Sequence, residues 1–449
     1  MNPQQLLARS LADALLAGPP EVTQAHARCV RTLGANPKWL ATLLAKIVRE
    51  YGHEWHVHSH GAITECIIAA PGFRRAQQSK HPPRLRVLPT DPPSMAPAMV
   101  ALGEIALPNL PSTGDIASWL EIETGELLWF AGSYEYGGSH SPPGCQHYRH
   151  RWVPKRSGGW RLLETPKPRL IAIQRRILHE LLEFVPLHEA VHGFRPRHSA
   201  LTNARAHTGK RIVIKLDLQD FFLKITAPRV RGLFKALGYP VQAANILTGL
   251  CTHGTPLGLL SAARDPAPYA FESPSLDWRE RQIYVIPHLP QGAPTSPALS
   301  NLCAFNLDVR LHGLAQAMGA VYTRYADDLT FSGGADLVRA AERLPVQVGA
   351  IALEEGFALN HRKTRIMRAS ARQQVTGIIV NVKPNFARDD FDRLKATLHN
   401  CRLRGGPSEN RESHGDFRAH LAGRIAYIRG IAPQRGERLR RMFNQVSWE

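Results

Sequence analysis

Two aspartates stand side by side inside a strand-like run: AVYTRYADDLTFS sets Asp327 and Asp328 between apolar and β-branched residues. Carboxylates without partners are costly to hold against an apolar interior. The run therefore has to break there, in a tight turn between two short strands that presents Asp327 at a hairpin tip. A third carboxylate ends another β-branched run, Asp217 in RIVIKLDLQDFF. On a neighbouring strand it would complete a cluster of oxygen ligands suited to hard cations, above all Mg²⁺. Two such ions about 3.5–4 Å apart clamp an in-line phosphoryl displacement: one activates the attacking hydroxyl, the other stabilises the leaving pyrophosphate. Asp217, Asp327 and Asp328 are thus the candidate catalytic and metal-binding residues, with two Mg²⁺ ions as cofactor and Mn²⁺ as a substitute. Alone, an Asp-Asp pair also describes a solvated turn, so its company along the chain decides.

The charge balance points to a polyanionic partner. Lys and Arg number 56 against 37 Asp and Glu, a net charge of +19, and such a surplus displaces condensed counterions from phosphates. A hydrophobic content of 43% excludes a disordered chain. The six cysteines form no CxxC pair, which excludes a zinc ribbon or a disulfide frame and favours a reducing compartment. The start, MNPQQLLARSLADALL, has neither the basic lead nor the long apolar core of a signal peptide. With no apolar run long enough to span a bilayer, the expectation is a cytoplasmic protein without a membrane partner.

Three zones follow from patterning. Residues 1–112 form a partly helical N-terminal extension: Leu6, Leu7, Leu11, Ala14, Leu15 and Leu16 share a helical face, and a second helix begins after Asn36-Pro37 with Trp39, Leu40, Leu43, Leu44 and Ile47. A Pro-, Arg- and Ser-rich arm, 77–97, offers Lys80, Arg84 and Arg86 to solvent or nucleic acid. HEWHVHSH, residues 53–60, is a metal-ligand candidate, although such runs are more often surface features. Residues 113–380 open with a Ser112-Thr113 helix cap and alternate strand-like runs (RHRWVPK, WRLLETP, IVIKLDL) with helical ones, an α+β pattern with an antiparallel sheet. Residues 381–449 are basic and helical, with Tyr427 and Trp448 assigned to the core.

YADD (325–328), preceded by LPQGAPTSPALSNL (289–302) and DLQDFF (217–222), resembles in order the palm motifs of reverse transcriptases. The resemblance covers about residues 113–449 and implies a right-hand polymerase fold of fingers, palm and helical thumb. It implies that Gln291 and Gly292 contact nucleotide and template, and that Phe222 is a plate under the sugar that excludes a ribose 2′-hydroxyl. Asp220 is expected on the triphosphate side rather than at the metals. WVPKRSGGWRLLETPKPRL resembles the fingers, where Arg161 and then Lys155 would neutralise a triphosphate. GFALNHRKTRIM resembles a further palm motif, in which Lys363 would approach the pyrophosphate or a backbone phosphate.

Two short signatures resemble those of retron enzymes: NAxxH, as Asn203, Ala204 and His207, and VTG, as Val375, Thr376 and Gly377. This likeness implies a cognate structured non-coding RNA (msr-msd type) as partner. It also implies synthesis from a 2′-hydroxyl of that RNA into branched msDNA, dNTPs as substrates, a role in anti-phage defence, and an effector or toxin protein as a further partner. The alternatives are a defence or abortive-infection reverse transcriptase without its own retron RNA, and an RNA–DNA scaffold restraining a toxic effector. Residues 251–288 lengthen the link between the first two palm motifs, as an RNA-touching hairpin or an inert insertion.

Overall fold

Apolar residues spaced three and four apart fold the N-terminal stretch into helices Pro3–Leu16, Val22–Leu33, Lys38–Tyr51, His60–Ala69 and Pro71–Gln77. The computed structural model describes residues 3–17, 21–52, 55, 60–87, 94–98, 100–132, 147–155, 158–260 and 276–448. The chain divides into two units, residues 1–186 with 225–303 and residues 187–224 with 304–449.

In the first unit the N-terminal helices share a core of Leu7, Leu11, Leu15, Leu40, Leu44, Ile47, Trp55, Ile63 and Phe73. Leu6, expected on that face, is 40% exposed, because one residue is a rotation of about 100° round a helix. Apart from Trp55 and the first residue of the helix His60–Ala69, the HEWHVHSH candidate lies outside the described residues. The Pro-rich arm is anchored at two points: the Arg86 and Val87 amides donate to Thr32 O, and the Ala96 amide to Gly238 O. Ser112 and Asp115 form a reciprocal capping box on the helix Thr113–Leu120. Strands β1 (Tyr148–Pro154) and β2 (Trp160–Pro166) pair antiparallel, Tyr148 opposite Pro166 and Pro154 opposite Trp160. Gly158 and Gly159, at φ +84° and +77°, close the hairpin; a side chain there would be strained.

The second unit holds a four-stranded sheet of β3 (Ile212–Asp217), β4 (Val321–Tyr325), β5 (Asp328–Gly333) and β6 (Arg365–Arg368), in the order β4-β5-β3-β6 and antiparallel throughout. Ile212, Val213, Ile214 and Leu216 are all buried, so successive residues of β3 are covered on both faces. A small hairpin, β7 (Gln374–Val375) and β8 (Ile378–Ile379), follows. The C-terminal helices Arg388–Arg404, Phe417–Ile431 and Pro433–Phe443 enclose their own core of Leu394, Leu398, Leu421, Ile425, Ile428 and Leu439. Trp448 joins that core. Tyr427 does not: it is 47% exposed, since the buried face of its helix runs through Leu421, Ile425 and Ile428. No helix among the described residues is long and apolar enough to cross a membrane.

Candidate active site

The register of the central sheet brings the three aspartates to one end. Asp217 closes β3 directly opposite Asp328, which opens β5, and Tyr325 ends β4 opposite the same Asp328. Directly opposed residues share a sheet face with Cβ atoms about 4.5–5.5 Å apart. Only Ala326 and Asp327 lie between the paired Tyr325 and Asp328, so Asp327 sits in the tightest of hairpin turns. The backbone locks the cluster: the Leu218 amide donates to Asp327 O at 2.9 Å and the Asn360 amide to Asp217 O at 2.7 Å.

That turn is strained. Ala326 adopts φ +57°, a left-handed conformation that costs a non-glycine residue about 1–3 kcal/mol. Two supports hold it. Arg324 Nη1 donates to Ala326 O at 3.2 Å, and Arg324 is itself wholly buried on Asp308, through Nε at 2.7 Å and Nη2 at 2.6 Å. The Tyr322 hydroxyl donates to the same carboxylate at 2.9 Å. On the other side stands Gly193, where a Cβ would lie 2.6 Å from Ala326 N. The sequence reading named none of Arg324, Asp308 and Gly193. Arg324, a charge amid apolar strand residues, was the one visible signal that a buried partner was needed.

Electrostatically the site carries crowded negative charge that its two lysines offset only in part. Burial, and then the charges of Asp217 and Asp328, push the Asp327 carboxyl up to about 6. Burial also raises Asp217, with Lys363 offsetting only part of the effect. Lys363 Nζ donates to both oxygens of Asp217 at 2.9 and 3.0 Å, and Lys215 Nζ lies 3.7 Å from Asp328 Oδ2. Crowded carboxylates without nitrogen or sulfur donors are a ligand set for hard divalent cations, so the three aspartates fit a pair of Mg²⁺ ions.

Asp220, at φ +48°, and Phe222 follow β3. Phe222 is half-buried, its ring 5.7 Å from Phe221 and 6.2 Å from Phe194. In the first unit, Lys155 lies in the turn after β1, where its amide donates to Gly159 O, and Arg161 is exposed on β2 opposite Val153. Gln291 O accepts from the Glu164 amide at 2.8 Å, which docks this loop on β2. Gly292, at φ +127°, has Thr165 Oγ1 3.1 Å from the position of a Cβ, so only glycine is accommodated without displacement.

The two signature motifs meet, although about 170 residues separate them in the chain. Ala204, on the helix Ala200–Ala206, packs in one cluster with Val213, Val375 and Ile378. Thr376 and Gly377, at φ +46° and +82°, form the two-residue turn of β7–β8, and Thr376 Oγ1 donates to Ala200 O at 2.9 Å. His207 and Asn203 are wholly buried. The Thr323 hydroxyl donates to Asn203 Oδ1 at 2.5 Å and accepts from His207 Nε2 at 2.7 Å. His207 Nδ1 is left to accept from the Ser332 hydroxyl at 2.7 Å. Burial holds the ring's pKa down to about 3, which keeps it neutral and makes Nδ1 the acceptor.

The chain has clear relatives. Residues 153–382 match the family model described as reverse transcriptase (RNA-dependent DNA polymerase). Retron Mx65 reverse transcriptase of Myxococcus xanthus is 41% identical over 77% of this chain and 74% of its own length. Retron Mx162 reverse transcriptase of the same organism is 36% identical over 74% of this chain and 66% of its own length. Retron Ec86 reverse transcriptase of Escherichia coli is 29% identical over 66% and 80%. With half of the chain inside the family model and such relatives along most of it, this chain belongs to the reverse transcriptase family, in its retron branch, and is an RNA-directed DNA polymerase with the right-hand fold of fingers, palm and helical thumb.

Proposed function

We propose that this polymerase copies a structured non-coding RNA of its own retron into branched msDNA, starting from a 2′-hydroxyl of that RNA, in defence against phage. The observation that carries the chemistry is Asp217 opposite Asp328 with Asp327 in the adjoining turn. Those three residues would hold two Mg²⁺ ions, which when bound lower the pKa of the attacking hydroxyl and neutralise the pyrophosphate. Lys363, which bonds Asp217, would exchange that carboxylate for the leaving group and give it a proton. Phe222 would exclude a 2′-hydroxyl on the incoming sugar, with Asp220 on the triphosphate side. Lys155 and Arg161 would neutralise the triphosphate, while Gln291 and Gly292 face nucleotide and template.

In this reading residues 1–112 are an extension, 113–380 carry fingers and palm, and 381–449 form the thumb. The thumb's exposed Arg402, Arg404, Arg438 and Arg441 would grip a stem-loop by backbone and shape. The packing of the NAxxH helix on the VTG hairpin supports the retron assignment, and an effector protein would be a further partner.

The test supplies the purified chain with the RNA encoded beside it, dNTPs and Mg²⁺. The expected product is DNA joined to RNA through a bond that a debranching enzyme cuts. Linear product alone, from an annealed primer, would overturn the retron start and leave the polymerase standing. No product in either format would overturn the metal assignment.

A further inference from the structure

Four polar side chains unconnected with the aspartate cluster converge in the first unit. His150 on β1 and Glu164 on β2 are direct cross-strand partners. His253 and His288 bracket the long excursion of residues 251–288 and bond backbone to backbone, N–H to O in both directions, at 2.9 and 3.0 Å. The side chains of His150, His253 and Glu164 are 9%, 16% and 1% exposed. Nε2 of His150 and Nε2 of His253 point at one another 2.9 Å apart, and Glu164 Oε1 lies 4.0 and 3.9 Å from them.

We infer that His150, Glu164 and His253 bind one divalent transition-metal ion of the zinc class, through the two Nε2 atoms and Oε1, with water as the fourth ligand. The donor set decides the class: two imidazoles and a carboxylate suit zinc-like ions, whereas Mg²⁺ takes oxygen. Tetrahedral bonds of about 2.0–2.1 Å place donor atoms about 3.3 Å apart. All three separations here fall within about 0.7 Å of that, a gap that small side-chain rotations close. The carboxylate is already aimed: Thr255 Oγ1 donates to Oε1 at 2.7 Å and His288 Nε2 bonds Oε2 at 2.9 Å, the outer-shell support that ligating groups need. His253 is stacked on Tyr148 at 4.1 Å and lines a cavity of about 440 Å³, a route for the ion and its water. Burial keeps both rings in the neutral, ligating form. A bound ion would staple the β1–β2 hairpin to the base of the excursion.

The test uses the full chain, stripped with chelating resin and titrated with Co²⁺ in excess Mg²⁺. One equivalent should give the visible bands of a four-coordinate nitrogen-containing site, and Zn²⁺ should abolish them. His150→Gln and His253→Ala should each weaken binding at least tenfold, while Asp327→Asn, which alters only the polymerase carboxylates, should keep the bands. Absence of such bands in the parent chain overturns the inference without any variant. So does equal Co²⁺ affinity in parent and His150→Gln, or loss of the bands in Asp327→Asn. His150→Gln, which keeps a polar side chain of similar size, keeps the comparison available if His253→Ala fails to fold.

Discussion

Replacing Asp308 by alanine should cost more stability than any surface change in the second unit. Asp308 accepts from Arg324 Nε and Nη2 and from the Tyr322 hydroxyl, and both members of the ion pair are 0% exposed. Removing the acceptor leaves a guanidinium buried without its counter-charge, a loss of about 3–5 kcal/mol, against a total of about 5–15 kcal/mol for a typical domain. The triple variant Asp308→Leu, Arg324→Met, Tyr322→Phe removes both buried charges, leaves only the Ala326 carbonyl without its side-chain donor, and should recover most of that loss. It should not recover activity, because Arg324 Nη1 also holds Ala326 O in the strained turn before Asp327. Misplacing reacting groups by about 1 Å costs about 10²-fold in rate. Urea unfolding and primer extension on an annealed RNA template, run on all three chains, separate the two effects. A loss under about 1 kcal/mol in Asp308→Ala, or full extension by the triple variant, would refute the idea that this pair supports the turn.

The neighbouring supports give further expectations. Gly193→Ala puts a Cβ 2.6 Å from Ala326 N and should slow extension about 10²-fold while RNA affinity stays level; an unchanged rate would show that the backbone gives way freely. Phe222→Ala should raise ribonucleotide over deoxynucleotide incorporation about tenfold or more, the scale of a steric contact worth about 1–3 kcal/mol, and an unaltered ratio in single-nucleotide assays would remove it from the sugar gate. Acid should destabilise the fold: burial first, then neighbouring cations and histidines, holds His192 at about 4 and His207 at about 3, against about 6.5 in an unfolded chain. The unfolded state then binds more protons from about pH 6.5 down to those values, so stability falls on acidification through that window, by about 1.2 kcal/mol for buried His207 between pH 7 and 5.5. Equal urea midpoints at those two pH values in the parent chain would contradict it.

What was legible in the sequence was local or register-bound. Ser112 announced a helix start and the β-branched runs announced strands. A two-residue gap between Tyr325 and Asp328 fixes a hairpin register, and with it which residue Asp217 can face. What was illegible depends on how distant segments return. Arg324 advertised a buried charge, yet nothing in the spacing selects Asp308, on a helix packed against β4, over other acidic residues. His253 meets His150 only because the excursion of residues 251–288 closes on its own base. Among the described residues, a histidine geometry that suits a metal was assembled from side chains about a hundred residues apart, a pairing that no local run of histidines announces. Tyr427 was assigned to the core, but amphipathic period alone does not fix which face of a short basic helix turns inward.

The retron signature raises a different issue, since its asparagine and histidine are shut away from solvent. His207 and Asn203 are fully buried, and the proton order from Ser332 through His207 and Thr323 to Asn203 uses up the nitrogens of the ring. Direct RNA recognition by this histidine is therefore excluded in the folded state. Its contacts are to Thr323 on β4 and Ser332 on β5, the two strands that the Ala326–Asp327 turn joins. Ala204, one residue on from Asn203, packs against Val375, whose turn at Thr376 bonds back to the same helix. An effect of His207 on a retron-specific reaction would then pass through the hairpin that carries Asp327 and Asp328. A neutral, fully hydrogen-bonded histidine suits that role: it ties a helix to both arms of a strained turn and adds no charge beside three carboxylates.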